Sequence, residues 1–178
     1  MNDPAHELPA EGFLLFELNE FLPYRLSLLT NTISAGIARN YRDQHEINVI
    51  EWRVLAVLGR YPGLTAKEIG ERTAMDKVAI SRAVNSLVER ELLERVTDPK
   101  DRRRMPLQVS PARGRTLLKK IIPLAQAYEQ QLLAALTPQE QKAFSSTLNK
   151  LQKKATSLNP TIQSEASAGI QTRRRVAP

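Results

Sequence analysis

Cysteine is absent from the 178-residue chain, and its absence excludes several classes of site. Without a thiol there is no disulfide scaffold, no thiolate zinc site, no cysteine nucleophile and no thiol redox sensor. Histidine is nearly as scarce, because the only two, His6 and His45, are too few and too far apart for a zinc triad. We therefore expect the protein to work without a metal ion or a cofactor.

Long apolar runs and the motifs of common enzyme classes are missing as well. Charged residues interrupt every apolar stretch well short of the ~20 residues that span a bilayer, and the acidic first residues do not resemble a signal peptide. The sequence has no glycine-rich phosphate loop, no Gly-x-Ser-x-Gly elbow and no His-Glu-x-x-His motif. These absences predict a cytoplasmic protein that does not enter a membrane and is not an enzyme.

Positive charge is in excess, and it is unevenly distributed. The net charge is +7, yet residues 1–20 carry five acidic and no basic side chains, so the rest of the chain carries +12. Residues 76–115 hold ten Lys or Arg against six Asp or Glu. Because 42% of the residues are hydrophobic, the chain can still form a core. We expect one basic face that meets a polyanion.

Helix-capping signals divide the middle of the chain. Asn48 with Glu51, and Thr65 with Glu68, have the spacing of capping boxes, which predicts a helix starting at each of these points. Asp76 is a suitable N-cap for a third helix of about four turns. The second and third of these helices are joined by a tight turn, and together they form a helix-turn-helix pattern.

Further helical patterns flank this segment. An apolar repeat from about Pro23 to Tyr41 predicts a first helix, and residues 42–47 are predicted to be a polar break. Another helix is predicted from Ser110. A last one begins at a capping box on Thr137 and carries apolar residues spaced four and three apart. Such a stripe favours a partner helix.

The hydrophobic period changes from 3.6 to 2 after the third capped helix. Leu93 and Arg95, and later Leu107 and Val109, alternate with their neighbours as residues of two strands do. A highly charged stretch with three consecutive arginines lies between them. The pattern predicts a β-hairpin with a basic tip.

Basic and amide side chains recur on one side of the third capped helix and at the hairpin tip. A helix in the major groove presents such groups to base edges and phosphates, and arginine suits a narrow minor groove. The predicted DNA-binding residues are Lys77, Ser81, Arg82 and Asn85 of the helix, and Lys100, Arg102, Arg103 and Arg104 of the tip. The alternative is a solvated helix face followed by a solubilising loop.

Residues 48–114 resemble the winged helix-turn-helix of the multiple-antibiotic-resistance regulator (MarR) family. The family's wing motif, Asp-x-Arg followed by an apolar pair before Leu-Thr, is matched by Asp101, Arg103, Leu107, Val109 and Ser110. The flanking helices extend the resemblance to about residues 23–158. One departure is that Gly114 follows Ser110 by four residues where the family usually has three. We therefore expect a junction between wing and helix that is one residue longer.

The resemblance implies a mainly α fold with a small β-hairpin wing, a winged helix-turn-helix whose N- and C-terminal helices form a homodimer. Together with the sequence pattern, it divides the chain into a loose acidic leader (1–12), a helical dimerisation region (13–47 and 110–159), a DNA-binding domain (48–109) and a disordered basic tail (160–178). The apolar stripes Leu22–Ile37 and Phe144–Leu158 suit such a dimer. Packing within one chain is the alternative.

Proteins similar to this chain often bind a small aromatic ligand between the dimer helices and the DNA-binding lobe, which implies a ligand wall here. Its candidates are Phe21, Tyr24, Arg25, Leu28, Leu29, Thr32, Trp52, Arg53 and Ala56. Arg25 or Arg53 would hold a carboxylate in a charge-assisted pair, whereas most of the apolar members suit a core equally well. The lack of cysteine and of a histidine cluster argues against the peroxide-sensing and zinc-sensing branches of the family.

The combined expectation is a ligand-responsive dimeric transcriptional regulator, a repressor that binds a pseudo-palindromic operator. A small aromatic acid or an aromatic acyl-coenzyme A thioester would release it from DNA. The alternative function is a winged-helix module for protein–protein assembly, whose arginines bind an acidic partner. Two-fold binding to duplex DNA that weakens steeply with salt would separate the first function from the second.

Overall fold

The computed structural model of the protein describes residues 17–99, 101 and 104–158. The predicted acidic leader and basic tail lie outside these residues, as do Lys100, Arg102 and Arg103 of the predicted wing tip. The chain divides into two compact units, Met1–Ser34 and Ala35–Pro178. Among the described residues, no helix is long and apolar enough to cross a membrane.

The first unit contains a short 3-10 helix, Leu18–Glu20, and the beginning of helix α1 (Leu22–Arg39). Pro23 lies in the first turn of α1, where its missing amide hydrogen leaves no intrahelical bond unmade. The predicted start of this helix is therefore confirmed to within one residue. Some large apolar side chains of α1 are accessible, since 46% of Leu22 and 54% of Leu28 are exposed.

The second unit begins with the end of α1 and contains the remaining elements. Its helices are α2 (Arg42–His45), α3 (Val49–Arg60), α4 (Ala66–Thr73), α5 (Lys77–Glu89), α6 (Arg113–Leu133) and α7 (Pro138–Leu158), and its strands are β1 (Leu93–Arg95) and β2 (Leu107–Val109). The predicted fold class, mainly α with a small β-hairpin, is confirmed. The predicted polar break at residues 42–47 is wrong in part, because α2 forms there. Glu46 then ends α2 in the left-handed conformation, with a φ of 52°.

Side-chain caps start the helices of the helix-turn-helix segment where the sequence predicts them. The Asn48 side chain accepts the N–H of Glu51 at 3.0 Å, and the Glu51 carboxylate accepts the N–H of Asn48 at 2.9 Å. Thr65 and Glu68 exchange the equivalent bonds at 3.3 and 2.7 Å. The Asp76 carboxylate accepts the N–H of Ala79 at 2.9 Å. Each cap satisfies amide donors that have no partner within their own helix.

One apolar core joins α3, α5, the hairpin and α6. It contains the fully buried Leu55 and Leu58 of α3, Ile80 and Leu87 of α5, and Ile121 of α6. Burying a side chain of this size contributes roughly 1.5–3 kcal/mol. The core therefore holds the exposed face of α5 in one orientation.

The hairpin is held on both sides of β2. Leu93 pairs with Val109 and Arg95 pairs with Leu107 in an antiparallel ladder. On its other side, Leu107 forms a β-bridge with Leu64, in which the Leu107 N–H donates to the Leu64 carbonyl at 2.9 Å. Leu64, which precedes the Thr65 cap of α4, thus acts as a third strand position and anchors the hairpin to the helix-turn-helix.

Gly114 marks a close approach between the start of α6 and the hairpin. A Cβ on Gly114 would collide with the Leu92 carbonyl oxygen and would lie 2.7 Å from Cγ1 of Val109. The Gly114 N–H donates to Oγ of Ser110 at 2.8 Å, and that hydroxyl donates to the Glu91 carbonyl at 2.7 Å. A glycine is required at this point because backbone packs against backbone.

Glu51 joins the start of α3 to α5. Its side chain is buried, and besides the cap it accepts a hydrogen bond from the Ser86 hydroxyl at 2.6 Å. The Arg90 guanidinium lies 3.6 Å from the same carboxylate and donates to the carbonyls of His45 and Glu46, both at 2.9 Å. One buried charge therefore links α5 to α3 and to the chain before it.

We expect Glu51→Ala to lower the free energy of unfolding by about 2–4 kcal/mol, because it removes a cap and leaves the partly buried donors of Ser86 and Arg90 without this acceptor. Urea denaturation at one fixed protein concentration measures the loss. Glu140→Ala is the matched control, because Glu140 caps α7 from the same position and is exposed. Equal losses in the two variants would contradict the role assigned to Ser86 and Arg90 as partners of Glu51.

Candidate DNA-binding site

The predicted contact residues of α5 lie on the side of the helix that the core does not cover. The buried side consists of Ile80, Ala83, Val84 and Leu87. Lys77, Ser81, Arg82 and Asn85 are all exposed. This separation arises because the buried residues recur at helical spacing and leave the remaining face polar.

Val78 is a candidate contact that sequence reasoning missed. It follows the first residue of α5, and 55% of it is exposed. An exposed aliphatic side chain at the start of a recognition helix can contact the methyl group of a thymine. The signal available in the sequence was the spacing of four residues between Val78 and Arg82, which puts both on one face.

Arg95 is a second missed residue, and it connects β1 to α5, the candidate recognition helix. Its guanidinium donates to Oδ1 of Asn85 at 2.9 Å. This bond fixes the amide of Asn85 and brings an exposed cation next to it. Strand alternation in the sequence could indicate the face of Arg95, but not its pairing with α5.

Predicted residues of the helix and of the wing line the same cleft, which has a volume of about 310 Å³. The cleft is lined by Thr65, Ala66 and Lys67 of the α4 start, Ser81, Val84 and Asn85 of α5, and Arg95, Arg104, Met105 and Leu107 of the hairpin. Three of the predicted contacts, Ser81, Asn85 and Arg104, are therefore brought together. The structure does not describe the predicted contacts Lys100, Arg102 and Arg103.

Arg104 has partners within the protein. Its guanidinium donates to the Glu68 carboxylate at 2.9 Å and to the Asp98 carboxylate at 3.2 Å. Burial alone would raise the pKa of Glu68, but hydrogen bonds from the Thr65 backbone, from Arg104 and from the Thr65 hydroxyl, with the charge of Arg104, hold that pKa below its ordinary value. The hydrogen bond to Glu68 is the main cause that raises the pKa of Arg104.

The predicted ligand-wall residues fall into two groups. Phe21, Tyr24, Arg25, Leu28, Leu29 and Thr32 are exposed residues of the first unit. In the second unit, Trp52 and Ala56 line a cavity of about 350 Å³ between α3 and α6, together with Gly59, Arg60, Leu118, Ile122, Ala125 and Gln126. Arg53 is half-buried on α3 and does not line that cavity.

In the part of the chain that the structure describes, no cluster of three or more acidic or histidine side chains could hold a metal ion.

Buried next to this cavity wall is Tyr41, whose ring lies 5.9 Å from that of Trp52. Burial raises the pKa of the Tyr41 hydroxyl, while the charges of Arg42 and Arg53 oppose the shift. Among the described groups, none is within hydrogen-bond distance of this hydroxyl. The tyrosine therefore acts mainly as an apolar ring that supports Trp52.

Known proteins share this combination of a helix-turn-helix and a β-hairpin wing. A model of the MarR family matches residues 45–104. The chain is similar to the crystal structure of a probable transcriptional regulator from Pseudomonas aeruginosa, with 30% identity over 75% of this chain and 98% of that one and a TM-score of 0.66. No curated protein sequence matches the chain.

Further solved structures share the fold. A MarR/EmrR family transcriptional regulator from Acinetobacter sp. ADP1 has 23% identity over 80% of this chain and 99% of that one, with a TM-score of 0.72. Bordetella bronchiseptica BpsR has 23% identity over 77% of this chain and 96% of that one, with a TM-score of 0.67. The family's members are regulators and not enzymes, which agrees with the function expected from the sequence. With its helix-turn-helix, its hairpin wing and these matches, the chain belongs to the MarR family of transcriptional regulators.

Proposed function

We propose that this regulator is a homodimeric repressor that binds a pseudo-palindromic operator and is released by a small aromatic acid or its coenzyme A thioester. The observation that carries the DNA-binding part is the exposed polar face of α5, which shares one cleft with the wing. The core and the Asp76 cap hold this face rigidly. A rigid polar helix face beside a basic hairpin suits duplex DNA.

The residues of α5 divide by chemistry. Arg82 can donate two hydrogen bonds to guanine, and Asn85 can pair with adenine in the major groove. Lys77 and Ser81 suit phosphates and base edges near the start of the helix. At the wing, Lys100, Arg102 and Arg103 are candidate contacts to the flanking backbone or the minor groove, whereas the partners of Arg104 indicate a different role.

Dimer formation is supported by the exposed apolar stripe of α7. Phe144, Leu148, Leu151 and Leu158 are between 40% and 66% exposed in the single chain. Apolar side chains at this spacing are stabilised when a partner helix covers them. We assign dimerisation to residues 13–47 and 110–159 and DNA binding to residues 48–109. A two-fold dimer also matches the symmetry of a palindromic operator.

The effector is proposed from the cavity beside Trp52. A second cavity of about 310 Å³ shares Gly59, Leu118 and Ile122 with the first, and Arg115 and Lys119 lie on its wall. Apolar walls with cationic side chains among them suit an aromatic ring that carries a carboxylate. DNA binding by Bordetella bronchiseptica BpsR is regulated by 6-hydroxynicotinic acid, an aromatic acid, which supports this ligand class. The two arginines that the sequence suggests for the carboxylate, Arg25 and Arg53, line neither cavity.

The operator model predicts that the protein selects a two-fold symmetric sequence from a randomised duplex library. Its affinity for the selected duplex should fall with salt at a log–log slope of about −0.9 per phosphate neutralised. Arg82→Ala should weaken binding by roughly 1–3 kcal/mol and relax specificity at one position in each half-site. Fluorescence anisotropy measures both effects.

Lys120→Ala is the control for that experiment, because it removes an exposed cation of α6 that lies outside the proposed interface. If the wild-type chain selects no sequence and shows no two-fold preference, the operator model fails. The protein–protein assembly function then becomes the better explanation of the basic hairpin.

The dimer model predicts that changing Leu148 and Leu151 together to Lys produces monomers or unfolded chain. The reason is that the change puts charge into the proposed dimer interface along the apolar stripe of α7. Light scattering coupled to size-exclusion chromatography gives the mass. Asn149→Lys with Gln152→Lys is the control, since it adds the same charge to the same turns of α7. A stable dimer of the Leu148→Lys, Leu151→Lys variant would exclude the apolar stripe of α7 as the dimer interface.

The effector model predicts that benzoate or benzoyl-coenzyme A raises the melting temperature and weakens operator binding, since a ligand of the native state stabilises that state. Ala56→Phe should abolish both responses because its ring fills the cavity. Ala127→Phe, at an exposed position of α6 outside the cavity lining, should retain them. Responses that persist in Ala56→Phe would place the ligand elsewhere.

A further inference from the structure

Arg104 lies where the wing loop returns towards β2, and its guanidinium reaches three separate parts of the chain. It is 2.9 Å from Oε1 of Glu68 on α4, 3.2 Å from Oδ2 of Asp98 and 3.4 Å from the Gly63 carbonyl oxygen. Asp98 follows β1, and Gly63 belongs to the turn before α4. One side chain therefore bridges both ends of the wing loop and the helix-turn-helix.

The Glu68 carboxylate has two functions at the same time. Its Oε2 accepts the N–H of Thr65 at 2.7 Å, which closes the cap of α4, and the same oxygen is 3.1 Å from Nη2 of Arg104. The side chains of Glu68 and Arg104 are only 27% and 33% exposed. Because solvent is partly excluded, this pair is screened less than an ion pair on the open surface.

The loop itself is closed next to Arg104. The Arg104 N–H donates to the Asp101 carbonyl at 3.0 Å, and Oδ1 of Asp98 accepts the Asp101 N–H at 3.3 Å. Asp98 therefore binds the loop through one oxygen and Arg104 through the other. These bonds fix the base of the wing relative to α4.

We propose that Arg104 is a positioning residue that holds the wing at a fixed place relative to the recognition helix, and not a contact to DNA. Two carboxylates face its guanidinium, so its charge is already compensated, and both of its terminal nitrogens already donate within the protein. This inference rests on the proposed DNA-binding function. It replaces the phosphate or groove contact that the sequence alone suggests for Arg104.

The two roles predict opposite effects of Glu68→Gln. Gln retains an amide oxygen that can close the α4 cap, but it removes the negative charge that holds Arg104. If Arg104 contacted phosphate, losing a nearby negative charge would leave operator affinity unchanged or increase it. If Arg104 positions the wing, the same change releases the wing and weakens binding.

The experiment is a double-mutant cycle on the full chain with the duplex that the wild-type protein selects. Arg104→Gln and Glu68→Gln should each weaken binding by roughly tenfold, and the double variant should be no weaker than either single one, because both remove the same contact. The slope of log affinity against log salt should be the same in the two single variants, because both release the same wing. A phosphate contact made by Arg104 itself would lower that slope by about 0.9 in Arg104→Gln and leave it unchanged in Glu68→Gln.

Two further variants separate positioning from a general loss of stability. Glu140→Gln makes the same change in the exposed cap of α7 and should leave operator affinity unchanged. Arg104→Lys retains the positive charge but lacks the two-pronged donor geometry of the guanidinium. Compared with Arg104→Gln, it should restore part of the affinity when Glu68 is present and none in the Glu68→Gln background. All measurements are made well below the melting temperature of each variant.

Four results would overturn the proposal. The first two are unchanged or tighter binding by Glu68→Gln and additive losses in the double variant. The other two are a salt slope that is reduced in Arg104→Gln but not in Glu68→Gln, and equal rescue by Lys in both backgrounds. If the wild-type chain selects no duplex, the DNA-binding function itself fails. The two failures are therefore distinguishable in one set of titrations.

Discussion

The buried carboxylate of Glu51 is the constraint on which the placement of the recognition helix depends. It caps α3, accepts the Ser86 hydroxyl of α5 and faces Arg90 just beyond the end of that helix. An unpaired charge at this depth would destabilise the fold, so the three partners must be present together. Arg90 in turn binds the backbone carbonyls of the segment before α3. The exposed face of α5 is thus fixed by polar bonds as well as by the core.

The same arrangement recurs one helix later and serves the wing. Glu68 occupies the capping position of α4 that Glu51 occupies in α3, and its second set of bonds goes to Arg104 of the hairpin. The capping glutamate of α7, Glu140, is exposed and bonds to Thr137 of its own cap. The capping glutamates of α3 and α4 therefore start a helix and also bind a second element of the fold. The capping glutamate of α7 bonds only within its own cap among the described residues. This difference follows from burial, because only a partly buried carboxylate gains much from a second partner.

Most element boundaries could be predicted because they depend on residues three or four positions apart. The caps at Asn48, Thr65 and Asp76 and the strand at Leu93–Arg95 are of this kind, and the structure confirms them. The short helix α2 could not be predicted, since residues 42–45 carry no apolar repeat. The bridge of Leu64 to Leu107 was missed for another reason: it joins residues that are distant in the sequence and have no shared pattern.

The sequence by itself determined the fold class, the polar face of α5 and the family to which the chain belongs. Those features are encoded by the local spacing of residues and by the wing motif, and both can be recognised without knowing which elements pack together. Only the tertiary structure decided that Glu51 meets a serine 35 residues away, that Glu68 meets an arginine 36 residues away and that Arg95 binds Asn85. The physical reason is that a charged side chain on a polar surface has many possible partners. Its actual partner is chosen by the packing of the core beneath it.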